Sequence, residues 1–256
     1  MDNVILTPHS AFDTVEAVGR INGTTVSNII DFWYGNTPNK VTAEPIRGKL
    51  FVVRHTTSVW NGMGKWTGTR DVHLSEEGFN SAAQIGKWFI GKKIDFAYCS
   101  HQMRTFETMR AILDVSSQPD VPYIRAEQIN ERDYGDYTGK NKWEMKELLG
   151  DDIFEHLRRD WDYPVPNGET LKMVYERAVP YYISEIVPRL KRGENILLAA
   201  HGNSLRAIIK YIESISDEDV SNLEMMFGSV LEYTVDDEGK FLTRTENKVV
   251  SVDSKA

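Results

Sequence analysis

The chain has 256 residues, 41% of them hydrophobic and 27% charged, with a formal net charge of −8. That is the composition of a globular protein with one large domain, or one domain and an appendage, and not of a disordered chain. The acidic balance argues against nucleic acid as a partner, because a phosphate backbone favours basic surfaces. No apolar run approaches the roughly 20 residues a membrane span needs, and the N-terminus lacks the basic start and apolar core of a signal peptide. The single cysteine, Cys99, excludes an internal disulfide framework and favours a reducing cytoplasm. Six scattered histidines, without metal-ligand spacing, give no sign of a metal site.

In chain order, residues 1–42 read as an appendage: a short strand at Val4-Ile5-Leu6, a turn at Thr7-Pro8-His9, and an amphipathic helix. The helix carries its apolar stripe through Val15, Val18, Val26, Ile29, Ile30 and Trp33, and Gly35 with Pro38 ends it. From Ala43 to the end at residue 256 the pattern alternates between strand and helix. Residues 50–53 form a strand, 75–90 a helix capped at Ser75, 96–99 a strand, and 103–113 a helix. Residues 143–159 and 171–189 are mostly helical, the second perturbed by Pro180 and Pro188. A strand at 196–200 precedes a helix at 204–214, and 231–235 pairs with 241–245 as a hairpin across Asp237-Glu238-Gly239. The expected fold is a three-layer α/β/α domain with a mostly parallel sheet, plus the N-terminal strand-helix appendage.

Two of these strands end on a histidine: Val52-Val53-Arg54-His55 and Ala199-Ala200-His201. Open α/β sheets bind ligands at the carboxyl edge of their strands, so both imidazoles are expected there. Phosphoryl transfer without a metal needs a nucleophile, cations around the phosphate and an acid/base group. His55 is the candidate nucleophile; Arg54, Arg104 and a cationic His201 would surround the phosphate, and Glu131 would move the proton. Asn203, following Gly202 at a helix start, adds backbone N–H groups that favour an anion.

The same stretches resemble the histidine phosphatase superfamily and, within it, the cofactor-dependent phosphoglycerate mutases, over residues 49–236. The matching blocks are Arg54-His55 with Ser58, Trp60 and Asn61; Trp66-Thr67-Gly68 through Ser75-Glu76; Asn130-Glu131-Arg132 with Tyr134-Gly135; Asn141-Lys142; Arg158-Arg159; and Ala199 to Arg206. The resemblance implies that His55 is phosphorylated and that Glu131 is the proton donor and acceptor. It places Arg54, Asn61, Arg104 and His201 around the phosphate, with Ser58, Thr67, Gly68, Arg132, Gly202 and Asn203 contacting substrate. Tyr134, Lys142, Arg158 and Arg159 would grip its distal anionic end. It also implies 2,3-bisphosphoglycerate as priming cofactor, phosphoglycerates as small-molecule partners, and interconversion of 3- and 2-phosphoglycerate in glycolysis and gluconeogenesis. A homo-oligomer is left open.

The chain departs from the family pattern in five places, among them Lys65 where an arginine is common and a shorter loop between Arg159 and Glu169. Thr56-Thr57 replaces the usual Gly-Glu, so Thr56 is expected to narrow the pocket or add a hydroxyl. Asp133 stands where a histidine is usual. Glu224-Met225-Met226-Phe227-Gly228 replaces an Asn-x-Pro-Thr-Gly segment and reads as core or a lid contact. These departures keep a phosphohistidine phosphatase as the nearest alternative, and a non-catalytic scaffold as one of another class. Residues 1–40 resemble the C-terminal end of a D-isomer-specific 2-hydroxyacid dehydrogenase at Thr7-Pro8-His9-Ser10-Ala11, but lack that family's nucleotide loop and partner acid.

Overall fold

The computed structural model describes residues 48–250, together with 23, 25–27, 29 and 30. The chain divides into two compact units, Met1–Pro45 and Ile46–Ala256. In the first, the described residues are helical, as the apolar periodicity predicts, and Val26, Ile29 and Ile30 are exposed. The strand and turn expected at residues 4–11 lie outside the described residues.

The second unit is a six-stranded sheet flanked by helices. The strands are β1 (Lys49–Arg54), β2 (Phe96–Ser100), β3 (Tyr123–Ala126), β4 (Asn195–Ala200), β5 (Ser229–Val235) and β6 (Phe241–Lys248). Their order is β3-β2-β4-β1-β5-β6. The first four run parallel, while β5 and β6 form an antiparallel hairpin on the β1 edge. The helices are α1 (Val59–Gly62), α2 (Glu76–Trp88), α3 (Met103–Val115), α4 (Lys142–Leu149), α5 (Asp151–Arg159), α6 (Leu171–Tyr181), α7 (Val187–Lys191) and α8 (Gly202–Glu213).

Three layers follow from the strand sequences. Side chains alternate across a strand, and both faces of β1, β2 and β4 are apolar. Leu50, Val52, Tyr98, Ile196 and Leu198 pack on one side against Ala178, Leu205, Ile208 and Ile209 of α6 and α8. Phe51, Val53, Ala97, Cys99, Leu197 and Ala199 pack on the other against Ile85, Phe89, Met109 and Ile112 of α2 and α3. Parallel strands covered on both faces are uniformly apolar for this reason.

Ser75 caps α2 by accepting from Gly78 N, as its sequence predicts. The helix expected over 143–159 is broken at Gly150, whose φ of 82° ends α4 and starts α5. The helix expected over 171–189 contains a π-helical stretch, Tyr182–Ile186, between Pro180 and Pro188. Neither proline can donate its backbone bond, which loosens the ladder there. No helix among the described residues is long and apolar enough to cross a membrane.

Candidate active site

β1 and β4 are neighbours in register, Arg54 opposite Ala200, and His55 N donates to Ala200 O at 2.9 Å. The residues that follow each strand, His55 and His201, therefore meet at the carboxyl edge, with ring centroids 5.1 Å apart. β2 lies on the other side of β4, and its last residue, Ser100, places Oγ 2.7 Å from His201 Nε2.

The Nδ1 of His55 lies 2.7 Å from Thr56 O. A carbonyl can only accept, so Nδ1 carries the proton and Nε2 keeps its lone pair. Burial, then the charges of Arg104 and Arg54, hold the His55 pKa well below its ordinary value. The unprotonated form required of a nucleophile is thus the stable one at neutral pH. His201 is held down in the same way by burial, then by Arg104, His55 and Arg54. In the free site, burial and the two guanidiniums oppose a third positive charge on His201. Its Nδ1 is buried without a protein partner, as are Nε of Arg54 and Arg104 and Oγ1 of Thr67. Buried polar atoms left unpaired are costly, and the acceptor oxygens of a phosphate would satisfy the two guanidinium N–H groups and the Thr67 hydroxyl.

Arg104 is fully buried on α3, and burial lowers its pKa to about 10, so it remains charged at neutral pH. Its Nη atoms donate to Arg70 O and Gly68 O, tying the Thr67-Gly68 turn to the histidines. Arg54 donates from Nη1 to Met225 O at 2.8 Å. Glu131 is buried, and its Oε1 accepts from the backbone N–H groups of Arg132 (2.8 Å) and Asn203 (3.2 Å). Its Oε2 lies beside Gly202, where a Cβ would come within 3.7 Å of both Oε2 and the Arg54 guanidinium. The start of α8 thus runs between the acid and the arginine.

The cations assigned to the distal anion surround the same space. Lys142 is pushed down to about 8 by burial and then by Arg54 and Arg158. At the end of α5, Arg158 pairs loosely with Glu155 (3.4 Å), and Arg159 makes an ion pair with Glu224 at 3.0 Å. Tyr134 stacks on Trp66 and accepts from Asn203 Nδ2 at 3.0 Å.

Five residues singled out in the sequence make bonds within the fold. Arg132 is fully buried and donates from Nη2 to Leu157 O, which ties the Glu131 loop to α5, while its Nε and Nη1 have no protein partner. Ser58 and Asn61 bond each other as the capping box of α1. Thr56 neither narrows the pocket nor lends it a hydroxyl: Oγ1 donates to Gly78 O on α2. Gly78 is required there, since a Cβ would sit 2.0 Å from Thr57 O. Asp133 turns its carboxylate to Gly135 N.

Several contributors were not singled out as site residues in the sequence. Gln102 accepts from Glu131 N and donates to Gly68 O. Arg177, paired with Glu169 at 2.8 Å, donates to the carbonyls of Gln128, Asn130 and Glu131. Phe227 lays its ring on Arg54, 3.6 Å from Cζ to centroid, and 5.9 Å from the His55 ring. Gln102 could have been found as a polar residue two positions after a buried strand at the ligand edge. Among the described residues no cluster of histidine, cysteine or carboxylates could hold a metal ion.

The family model described as histidine phosphatase superfamily (branch 1) matches residues 50–248. A 2,3-bisphosphoglycerate-dependent phosphoglycerate mutase of Parvibaculum lavamentivorans is 42% identical over 74% of this chain and 91% of its own. A phosphoglycerate mutase of Schizosaccharomyces pombe is 37% identical over 80% and 98%. Among solved structures, Bacillus stearothermophilus YhfR superposes with a TM-score of 0.69 at 26% identity, covering 80% of this chain and 98% of that one. The dehydrogenase-like resemblance of residues 1–40 finds no support in these comparisons. Its motif also precedes the matched span. A buried histidine pair on adjacent parallel strands, ringed by arginines and matched along the whole sheet, places the chain in the histidine phosphatase superfamily, branch 1, with phosphoglycerate mutases as its curated homologues.

Proposed function

We propose that this chain is a 2,3-bisphosphoglycerate-dependent phosphoglycerate mutase, interconverting 3- and 2-phosphoglycerate through phosphorylated His55. The observation that carries the reading is a double anion site. Arg54, Arg104 and His201 gather around a histidine whose Nε2 lone pair is free. Lys142 and Arg158 lie close enough to Arg54 to act on one another electrostatically. A simple phosphatase needs only the first cluster; a substrate held at both ends needs both.

His201 Nδ1, Thr67 Oγ1 and the Nε atoms of Arg54 and Arg104 are buried and unpaired, which fits a group rich in acceptor oxygens. Bound there, 2,3-bisphosphoglycerate would supply the phosphoryl group that primes His55. The residues of the chain do the rest. Arg54 and Arg104 neutralise charge on the phosphoryl oxygens. His55 Nε2 takes and returns the phosphoryl group, while Thr56 O holds the proton on Nδ1. Glu131, with Oε1 fixed by two backbone N–H groups, uses Oε2 to take the proton from the substrate hydroxyl and give it back. Lys142, Arg158 and Arg159 hold the other anionic end while the substrate is reoriented. Residues 1–42 take no part, and the enzyme works in the cytoplasm on small molecules.

The test is to incubate the protein with 3-phosphoglycerate, with and without catalytic 2,3-bisphosphoglycerate, and to follow 2-phosphoglycerate and free phosphate together. Bisphosphoglycerate-stimulated 2-phosphoglycerate, abolished in His55→Ala, is the expected outcome. Free phosphate without isomerised product would overturn the reading in favour of a phosphatase.

A further inference from the structure

A phosphohistidine has two fates. It can pass its phosphoryl group to a bound hydroxyl, or lose it to water. In the second, a water oxygen bonds phosphorus and the P–Nε2 bond breaks with its electron pair returning to Nε2. Both water protons leave with the phosphate as H2PO4⁻. Which fate dominates depends on what stands beside His55.

One side is polar: Ser100, His201, Glu131 and the start of α8. The other is closed by the segment leading into β5. β5 runs antiparallel to β1 with Val230 opposite Val53. The residues just before β5 therefore arrive level with Arg54 and His55. The segment is held there at two points. Met225 O accepts from Arg54 Nη1 at 2.8 Å, and Glu224 pairs with Arg159 at 3.0 Å. Between β5 and these anchors Phe227 stacks over the Arg54 guanidinium and meets the His55 ring edge-on. An aromatic ring there can neither bind a water in line with phosphorus nor activate one. Stacked on a guanidinium, it also strips water from that face of the cation.

We propose that Phe227 is a specificity-determining residue that keeps water from phosphorylated His55, and so commits the phosphoryl group to transfer instead of hydrolysis. The inference rests on the reading of His55 as the phosphorylated nucleophile. It concerns a stretch, Glu224 to Gly228, in which this chain departs from the family pattern.

The experiment compares wild type with Phe227→Leu, Phe227→Val and Phe227→Ala. Each is phosphorylated with labelled 2,3-bisphosphoglycerate. The half-life of the phosphoenzyme without acceptor and the phosphate released per 2-phosphoglycerate formed are then measured. Exclusion of water predicts a graded loss: Leu close to wild type, Ala with a half-life about tenfold shorter and a correspondingly larger phosphate fraction. A purely structural role would lower expression or melting temperature while leaving the half-life of folded, phosphorylated protein unchanged. A flat series in Leu and Val overturns the inference even if the Ala variant does not fold. Failure of wild type to become phosphorylated on His55 would instead overturn the functional reading beneath it.

Discussion

Arg206→Met tests whether the distal anion grip is set from behind. Arg206 lies on α8, 4% exposed, on a helix whose neighbouring positions Leu205, Ala207, Ile208 and Ile209 are fully buried and apolar. Its Nη1 donates to Arg158 O and Asn203 Oδ1, and its Nη2 to Arg159 O (2.6 Å) and Val220 O (2.7 Å). One guanidinium thus ties the end of α5, which carries both distal arginines, to the start of α8, which carries Asn203. Burial lowers the Arg206 pKa to about 10, so these remain charge-assisted bonds at pH 7. Each is worth about 1.5–3 kcal/mol. Counting only the two shortest, and allowing for the apolar arm methionine retains, the variant should lose about 3–5 kcal/mol of stability, or roughly 6–20 °C in Tm. Urea unfolding measures that loss. Steady-state kinetics should then show KM for 3-phosphoglycerate rising about tenfold, while hydrolysis of p-nitrophenyl phosphate, which has no second anion, keeps its KM. Equal changes for both substrates, or stability loss with an unchanged KM for phosphoglycerate, would refute the argument that Arg206 positions the grip.

The histidine pair predicts a pH dependence of stability. Both folded-state pKa values lie below the ordinary 6.5. Below pH 6.5 the unfolded chain therefore binds protons that the folded chain refuses. Stability should fall from pH 7 to 5 by up to about 1.4 kcal/mol per pH unit for each histidine, and His55→Asn should remove one share of that slope in denaturant titrations; identical slopes would contradict the burial argument. Gly135→Ala should cost about 3 kcal/mol or more, because φ is +49° and the new Cβ would lie 2.0 Å from Pro166 O. A thermal melt unchanged from wild type would be incompatible with that contact. Removal of residues 1–42 should leave kcat/KM for 3-phosphoglycerate within about twofold, since the family match begins at residue 50; a larger fall would show that the first unit takes part in the site.

The sheet and the histidines were legible because one physical signal encodes both. A strand buried on two faces is apolar throughout, so the first charged or aromatic heterocyclic residue after it, Arg54-His55 or His201, marks the strand end and the ligand edge together. β3 was missed because residues 123–126 form an edge: Tyr123 and Ile124 are exposed, Arg125 is half-buried, and four residues carry no period. The break at Gly150 was hidden for the opposite reason, since apolar periodicity continues across it, whereas the π-helical stretch at Tyr182–Ile186 lies between the two prolines that flagged it. At Arg132 a sequence block records that an arginine is present, and not that one of its nitrogens ties the loop to Leu157 O. The roles of Gln102, Glu169 and Arg177 are bonds to backbone carbonyls and N–H groups, to which spacing between side chains is blind.

Strand direction explains why the segment before β5 belongs to the site at all. In a wholly parallel sheet every loop entering a strand lies at the amino edge, away from the chemistry, and only loops leaving strands build the site. β5 is antiparallel to β1, so its entering loop arrives where the others depart. The reversal brings Met225 O to Arg54, Glu224 to Arg159 and Phe227 over Arg54, edge-on to His55, without any long excursion of the chain. The parallel half of the sheet thereby supplies the reacting and charged groups, and the antiparallel hairpin supplies a separate cover. Because the two come from different parts of the chain, Phe227 can be substituted without touching the histidines or arginines beside it.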